Sequence, residues 1–177
     1  MKVLFLDIDG VIKPYNSVYD YINYDEKVIK QLSEKHNIDY FKYDKWEVFS
    51  AYYFWKYEAI VRLKKILEET NSKIIISSDW RDTKLLYKMR DLLKIYDLDR
   101  YWLSDNINLK IRHIMSIDYI KKRALEIDYS LYKYNIKKYV VVDDIKELEK
   151  YFPNNFVATY NYLTDENMEK CIKILNR

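Results

Sequence analysis

Three short apolar runs, at residues 2–6, 73–77 and 139–142, proceed without alternation and stop at polar or acidic residues. A strand with one face in water alternates apolar and polar side chains. One that is apolar throughout is covered on both faces, as in a parallel sheet. Residues 156–159 form a fourth such run. Between the runs the spacing turns helical: Ile60, Leu63 and Leu67, closed by Asn71; Leu85, Leu86, Met89, Leu92 and Leu93; Ile117, Ile120, Ala124, Ile127 and Leu131. Met168, Cys171, Ile172 and Leu175 mark a last helix, which Thr164 opens with Asp165 and Glu166 in its first turn. Strand and helix in alternation predict an α/β fold, a Rossmann-like parallel sheet with helices on both faces. At 177 residues the chain is expected to be a single domain, burying about 70% of its unfolded surface in one core.

Residues 13–57 break this rhythm. They hold nine Tyr together with Phe41, Trp46, Phe49, Phe54 and Trp55, and show no clear period. We read them as a small insertion after the first strand, packed like a cap over one end of the sheet. Tyr is abundant everywhere, 20 in all beside a single Gly, as codon bias in an AT-rich genome would produce, so core packing is the plainer reading of these rings. A lone cysteine, Cys171, excludes an internal disulfide and a multi-thiolate metal site, and a reducing cytoplasm is expected. Asp7 and Asp9 interrupt the apolar N-terminus, and no run reaches the roughly 18 residues of a membrane span.

The chemistry is expected at the carboxyl ends of the strands, where open parallel sheets bind ligands. Asp7 and Asp9 follow the first run, Ser77 and Ser78 close the second, and Asp143 and Asp144 close the third. Four carboxylates brought together repel unless a cation joins them. A hard divalent ion with oxygen ligands, Mg²⁺ above all, would relieve that repulsion and also hold a phosphate. The two serines would donate to phosphate oxygens. Gly10 follows the first acid pair directly, where a positive φ or a close approach to ligand would call for it. An ordinary Asp-Gly turn explains the first pair alone; the second pair, at 143 and 144, argues against that.

Leu4-Phe5-Leu6-Asp7-Ile8-Asp9-Gly10-Val11 resembles the first motif of the haloacid dehalogenase (HAD) superfamily. Ser77 resembles its second motif, and Asp143-Asp144 its fourth. More narrowly, residues 77–81 (SSDWR), 139–144 (YVVVDD) and 163–167 (LTDEN) are similar to the HAD domain of the "Swiss Army Knife" RNA repair proteins. That likeness covers residues 1–12, 58–83 and 121–176, and departs at Asp79, where a small polar residue is usual. The resemblance implies that Asp7 attacks phosphorus to form an aspartyl-phosphate. It implies that Asp9 protonates the leaving oxygen and then activates water. Ser77 would orient the phosphoryl group, and a third-motif lysine would neutralise its charge. Lys122 is our choice for that lysine, with Lys121 and Lys110 as rivals. Asp7, Asp143, Asp144 and the backbone carbonyl of Asp9 would hold Mg²⁺, with Gly10, Ser78 and Arg81 against the substrate. The presence of Asp9 favours phosphatases over the superfamily's dehalogenases and ion pumps.

Arg81 contacts substrate phosphate on one reading; on the other it pairs with Asp79 or Asp82. His36 and His113 have no partner at metal-ligand spacing and read as surface residues, and Cys171 reads as core. The net charge is only +3, yet residues 110–138 hold eight basic and three acidic residues. That local excess of five positive charges favours an anionic substrate, a nucleic-acid end included, though a solvated helix face would look the same. The leading expectation is a Mg²⁺-dependent phosphatase acting on a phosphorylated substrate, at nucleic-acid ends as in RNA repair. Its rivals are a nucleotidase or other small-molecule phosphatase, and a HAD scaffold that binds without catalysis.

Overall fold

A computed structural model describes residues 1–15, 25–81, 84–85, 87–105, 108–112 and 114–177, excluding the side chains at 109 and 112. Five strands, β1 (Lys2–Leu6), β2 (Lys73–Ile76), β3 (Trp102–Asp105), β4 (Lys138–Asp143) and β5 (Phe156–Ala158), form one sheet in the order β3-β2-β1-β4-β5. Every pairing is parallel. Around it lie α1 (Glu26–His36), α2 (Lys45–Phe54), α3 (Tyr57–Thr70), α4 (Lys88–Lys94), α5 (Leu109–Arg112), α6 (Tyr119–Lys133) and α7 (Asp165–Asn176). The expected α/β, Rossmann-like architecture is therefore the one found.

Alternate residues of each central strand enter opposite halves of the core. Leu4, Leu6, Ile74, Ile76, Val140 and Val142 pack with Leu63 and Leu67 of α3 and with Met168, Cys171 and Leu175 of α7. Val3, Phe5, Ile75 and Val141 pack on the other face with Ala124 and Ile127 of α6 and with Leu148 and Phe152. Each fully buried aliphatic side chain of this kind contributes about 1.5–3 kcal/mol, which is why these runs cannot alternate. The helix signals act as read. Asn71 ends α3 in the left-handed region, φ 51°, and Thr164 opens α7 in a capping box with Asn167.

Three boundaries differ from expectation. β3 was not anticipated: Trp-Leu-Ser-Asp is half-buried at a sheet edge and lacks a β-branched run. α4 begins only at Lys88, not Leu85, and Leu86 lies outside the described residues. α6 begins at Tyr119 because the Asp118 carboxylate caps the backbone N–H of Lys121.

The described part of the 13–57 segment holds α1, a single 3-10 turn and α2. Four successive α2 residues, Val48, Phe49, Ser50 and Ala51, are buried, so its helical period is invisible in sequence. Ile29, Leu32, Tyr40, Tyr43 and Phe49 join the α3/α7 half of the core. The Tyr40 and Tyr43 hydroxyls donate to the backbone carbonyl (2.7 Å) and carboxylate (2.6 Å) of Asp91 in α4. Residues 16–24 of this segment lie outside the described residues. Among the described residues, no helix is long and apolar enough to cross a membrane.

Candidate active site

Register brings the site together. Leu6 is paired with Ile76 on one side and Val142 on the other, so the next residues along, Asp7, Ser77 and Asp143, emerge side by side. The Asp7 backbone N–H donates to the Val142 carbonyl at 3.1 Å, and the Ser77 N–H to the Leu6 carbonyl at 2.9 Å. Beyond Asp7 the chain folds into a tight loop in which the N–H groups of Val11, Ile12 and Lys13 all point at the Ile8 carbonyl. Gly10 takes φ +71° there, and a Cβ on it would lie 2.8 Å from the Tyr15 hydroxyl and 2.9 Å from Cβ of Asp144. Backbone conformation and crowding both require glycine.

One carboxylate oxygen from each of Asp7, Asp143 and Asp144 lies within 4.8 Å of the others. Asp7 and Asp143 are buried. Burial, then the neighbouring charge of Asp143, pushes the Asp7 carboxyl up to about 8, against the opposing pull of Arg123 and a hydrogen bond from Ser78. Burial also raises Asp143 and Asp144 above the usual carboxylate range. Crowded, dehydrated carboxylates that resist ionisation are a donor set suited to a hard divalent cation, so the residues present fit a metal. The carboxylate of Asp9 stands outside this cluster. Its Oδ1 accepts from Lys13 Nζ and its Oδ2 from Trp80 Nε1, each at 2.7 Å. The Tyr15 hydroxyl donates to Asp144.

The cation against Asp7 is Arg123, not Lys122. Arg123 Nη1 lies 3.2 Å from Asp7 and 2.7 Å from Asp143. Its Nη2 donates to the Tyr119 hydroxyl, which in turn donates to Asp79 at 2.7 Å. Arg123 and Glu126 lie on the buried side of α6, and Tyr119, one turn before Arg123, is exposed. Lys122 is half-buried beside them and lines a cavity with Asp79, Arg81, Tyr119, Arg123 and Glu126. Lys110 and Lys121 are exposed. Arg123 shares the buried face of α6 with Glu126, Ile127 and Ser130 at i+3, i+4 and i+7, the periodicity that distinguishes it from the neighbouring lysines.

The structure also places the remaining candidates. The Ser77 hydroxyl is buried with no hydrogen-bond partner among the described residues. Arg81 is buried and salt-bridged at 3.0 Å to Glu126, a partner 45 residues away that spacing could not suggest. Its Nε also donates to the Ser78 carbonyl, and Asp82 lies outside the described residues. Cys171 is buried in the core, and burial pushes its thiol up to about 12. His36 is half-buried against Tyr40; His113 lies outside the described residues. Trp80, Lys13, Tyr15 and Tyr119 were not anticipated as site residues.

No curated protein and no solved structure matches the chain. One family does: the model for the HAD domain in Swiss Army Knife RNA repair proteins matches residues 3–168. That span takes in the five strands, save Lys2 at the start of β1, and every acid of the site, and the chain belongs to this family of HAD domains.

Proposed function

We propose that this protein is a Mg²⁺-dependent phosphohydrolase that cleaves phosphate monoesters through an aspartyl-phosphate on Asp7, with nucleic-acid ends as its substrates. The observation that carries the reading is the setting of Asp7. It is a buried carboxylate with Arg123 at 3.2 Å, the Ser77 hydroxyl, unpartnered among the described residues, on the next strand, and two further acids within 4.8 Å. Membership of the HAD family supports phosphatase chemistry on that frame.

Asp7, Asp143 and Asp144 would hold the metal, with the Asp9 carbonyl. Bound there, Mg²⁺ would neutralise charge on the phosphoryl oxygens. An Asp7 oxygen forms a bond to phosphorus as the ester P–O bond breaks, and Asp9 delivers a proton to the departing oxygen. Water then attacks phosphorus, giving its proton to Asp9 and restoring the Asp7 carboxylate. Arg123 takes the role expected of Lys122: it favours ionised Asp7 and offsets charge gathering in the transition state. Lys13 and Trp80 hold both oxygens of Asp9 and fix the orientation of its carboxyl. The surplus of positive charge along residues 110–138 supports an anionic polymer as substrate. A lone, buried cysteine suits the reducing cytoplasm.

The test is turnover of p-nitrophenyl phosphate with Mg²⁺, with EDTA and by Asp7→Asn, followed by a panel of nucleotides, sugar phosphates and phosphorylated oligonucleotides. Metal-dependent turnover lost in Asp7→Asn is expected. Full activity in EDTA or in that variant overturns the mechanism. A preference for mononucleotides or sugar phosphates overturns the nucleic-acid assignment.

A further inference from the structure

The first turns of α6 and the loop after β2 enclose a cavity of about 270 Å³ lined by Asp79, Arg81, Tyr119, Lys122, Arg123 and Glu126. It adjoins the reaction centre, because Arg123 belongs to its wall and also contacts Asp7. Its charges are matched with one exception. Glu126 is engaged by Arg81 at 3.0 Å and by the Asn108 backbone N–H at 3.4 Å. Asp79 accepts from the Tyr119 hydroxyl at 2.7 Å and has Arg123 Nη2 at 3.7 Å. Arg123 lies between Asp7 and Asp143. Among the described residues Lys122 has no ion-pair partner, and the lining itself carries three cations, Arg81, Lys122 and Arg123, against two acids, Asp79 and Glu126. The volume falls just short of the roughly 300 Å³ at which whole-ligand sites begin, so the space suits one group of a substrate.

Resting on the phosphohydrolase reading above, we propose that this cavity is a subsite for a second phosphate of the substrate and that Lys122 is the cation that selects it. The preferred substrates are then phosphate monoesters with another phosphate close to the scissile one. A nucleoside bisphosphate and a phosphorylated oligonucleotide end share that chemistry. Lys122 binds as a point charge, and Arg123, common to both compartments, sets the spacing between the two groups. A half-buried lysine with no ion-pair partner among the described residues is thereby explained without placing it on the transferring phosphoryl group.

The experiment compares KM for three substrates of wild type, Lys122→Ala and Lys122→Arg: a nucleoside monophosphate, the matching 3′,5′-bisphosphate, and a dinucleotide bearing the same terminal phosphate. Turnover of p-nitrophenyl phosphate with Mg²⁺ is the control on which the underlying reading depends; its absence sinks that reading and this one together. With the control positive, the second phosphate should lower wild-type KM on the order of tenfold, the worth of one charge-assisted hydrogen bond. Lys122→Ala should remove that advantage, and Lys122→Arg should retain most of it. An advantage confined to the bisphosphate identifies a free metabolite, and one shared by the dinucleotide identifies a chain end. Equal KM values in wild type, or an advantage untouched in Lys122→Ala, overturns the subsite and leaves the phosphohydrolase reading standing.

Discussion

Replacing Arg123 by Met keeps an unbranched apolar stem and removes the guanidinium with its charge. Asp7 and Asp143, buried and in contact with the guanidinium at 3.2 and 2.7 Å, would then face each other with no organic cation between them. Breaking a buried pair by removing one partner costs about 3–5 kcal/mol. For a chain of 177 residues that corresponds to a fall in Tm of roughly 6–20 °C. The loss depends on pH with a definite sign. The Asp7 carboxyl titrates near 8 in the folded protein and near 3.8 unfolded, so the folded state binds the extra proton. Its contribution to stability is full below pH 3.8 and is lost as pH rises through 8. Arg123 opposes that loss by drawing Asp7 down. The Arg123→Met penalty should therefore be smaller at pH 5 than at pH 8 and should keep growing above pH 8. Mg²⁺ should recover part of it by replacing the missing positive charge. Urea denaturation at both pH values, in EDTA and in Mg²⁺, measures all three effects. A penalty below about 1 kcal/mol at pH 8 in EDTA would show that Arg123 does not neutralise the acid cluster.

Two further substitutions probe the scaffold of the site. Gly10→Ala forces a Cβ against the Tyr15 hydroxyl and Asp144 at φ +71°; we expect about 1–3 kcal/mol of destabilisation together with weaker Mg²⁺ binding. Unchanged melting and unchanged metal titration would refute it. Asp105 ends β3 with one carboxylate oxygen buried and unpartnered among the described residues, and burial pushes it up to about 6 despite a hydrogen bond from Trp102. Its stabilising contribution is full below pH 3.8 and lost as pH rises through 6, so Asp105→Asn should raise stability at pH 8 by up to about 3 kcal/mol. It should leave stability at pH 4 nearly unchanged, and an Asn variant no more stable than wild type at pH 8 would contradict the reading.

What was legible in the sequence follows from how each element is buried. β1, β2 and β4 are covered on both faces, so their composition alone announces them. α7 announces itself through Thr164 with Asp165 and Glu166 in its first turn and through the spacing of Met168, Cys171 and Leu175, all of it local in sequence. β3 is half-exposed at the edge beyond β2 and carries Ser104 and Asp105, so no apolar run marks it. α2 is buried on successive residues and loses the periodicity on which recognition depends. The acids of the site were legible because they follow immediately on strands whose register is fixed by the core. The partners of those acids were not. Trp80 on Asp9 and Glu126 on Arg81 are long-range pairs set by how the loop after β2 meets β1 and α6. The choice between Lys122 and Arg123 turns on about 100° of helix rotation, which residue type alone does not reveal.

The most direct test of the central claim is to trap the covalent intermediate. Asp9→Asn should slow its hydrolysis, because no carboxylate remains to activate water. After brief exposure of that variant to a phosphate ester with Mg²⁺, borohydride reduction and peptide mass spectrometry locate the modified residue. The account predicts reduction of Asp7 to homoserine, abolished by EDTA and absent when Asp7→Asn is combined with Asp9→Asn. Modification of any other carboxylate, or wild-type turnover by Asp7→Asn, would contradict it.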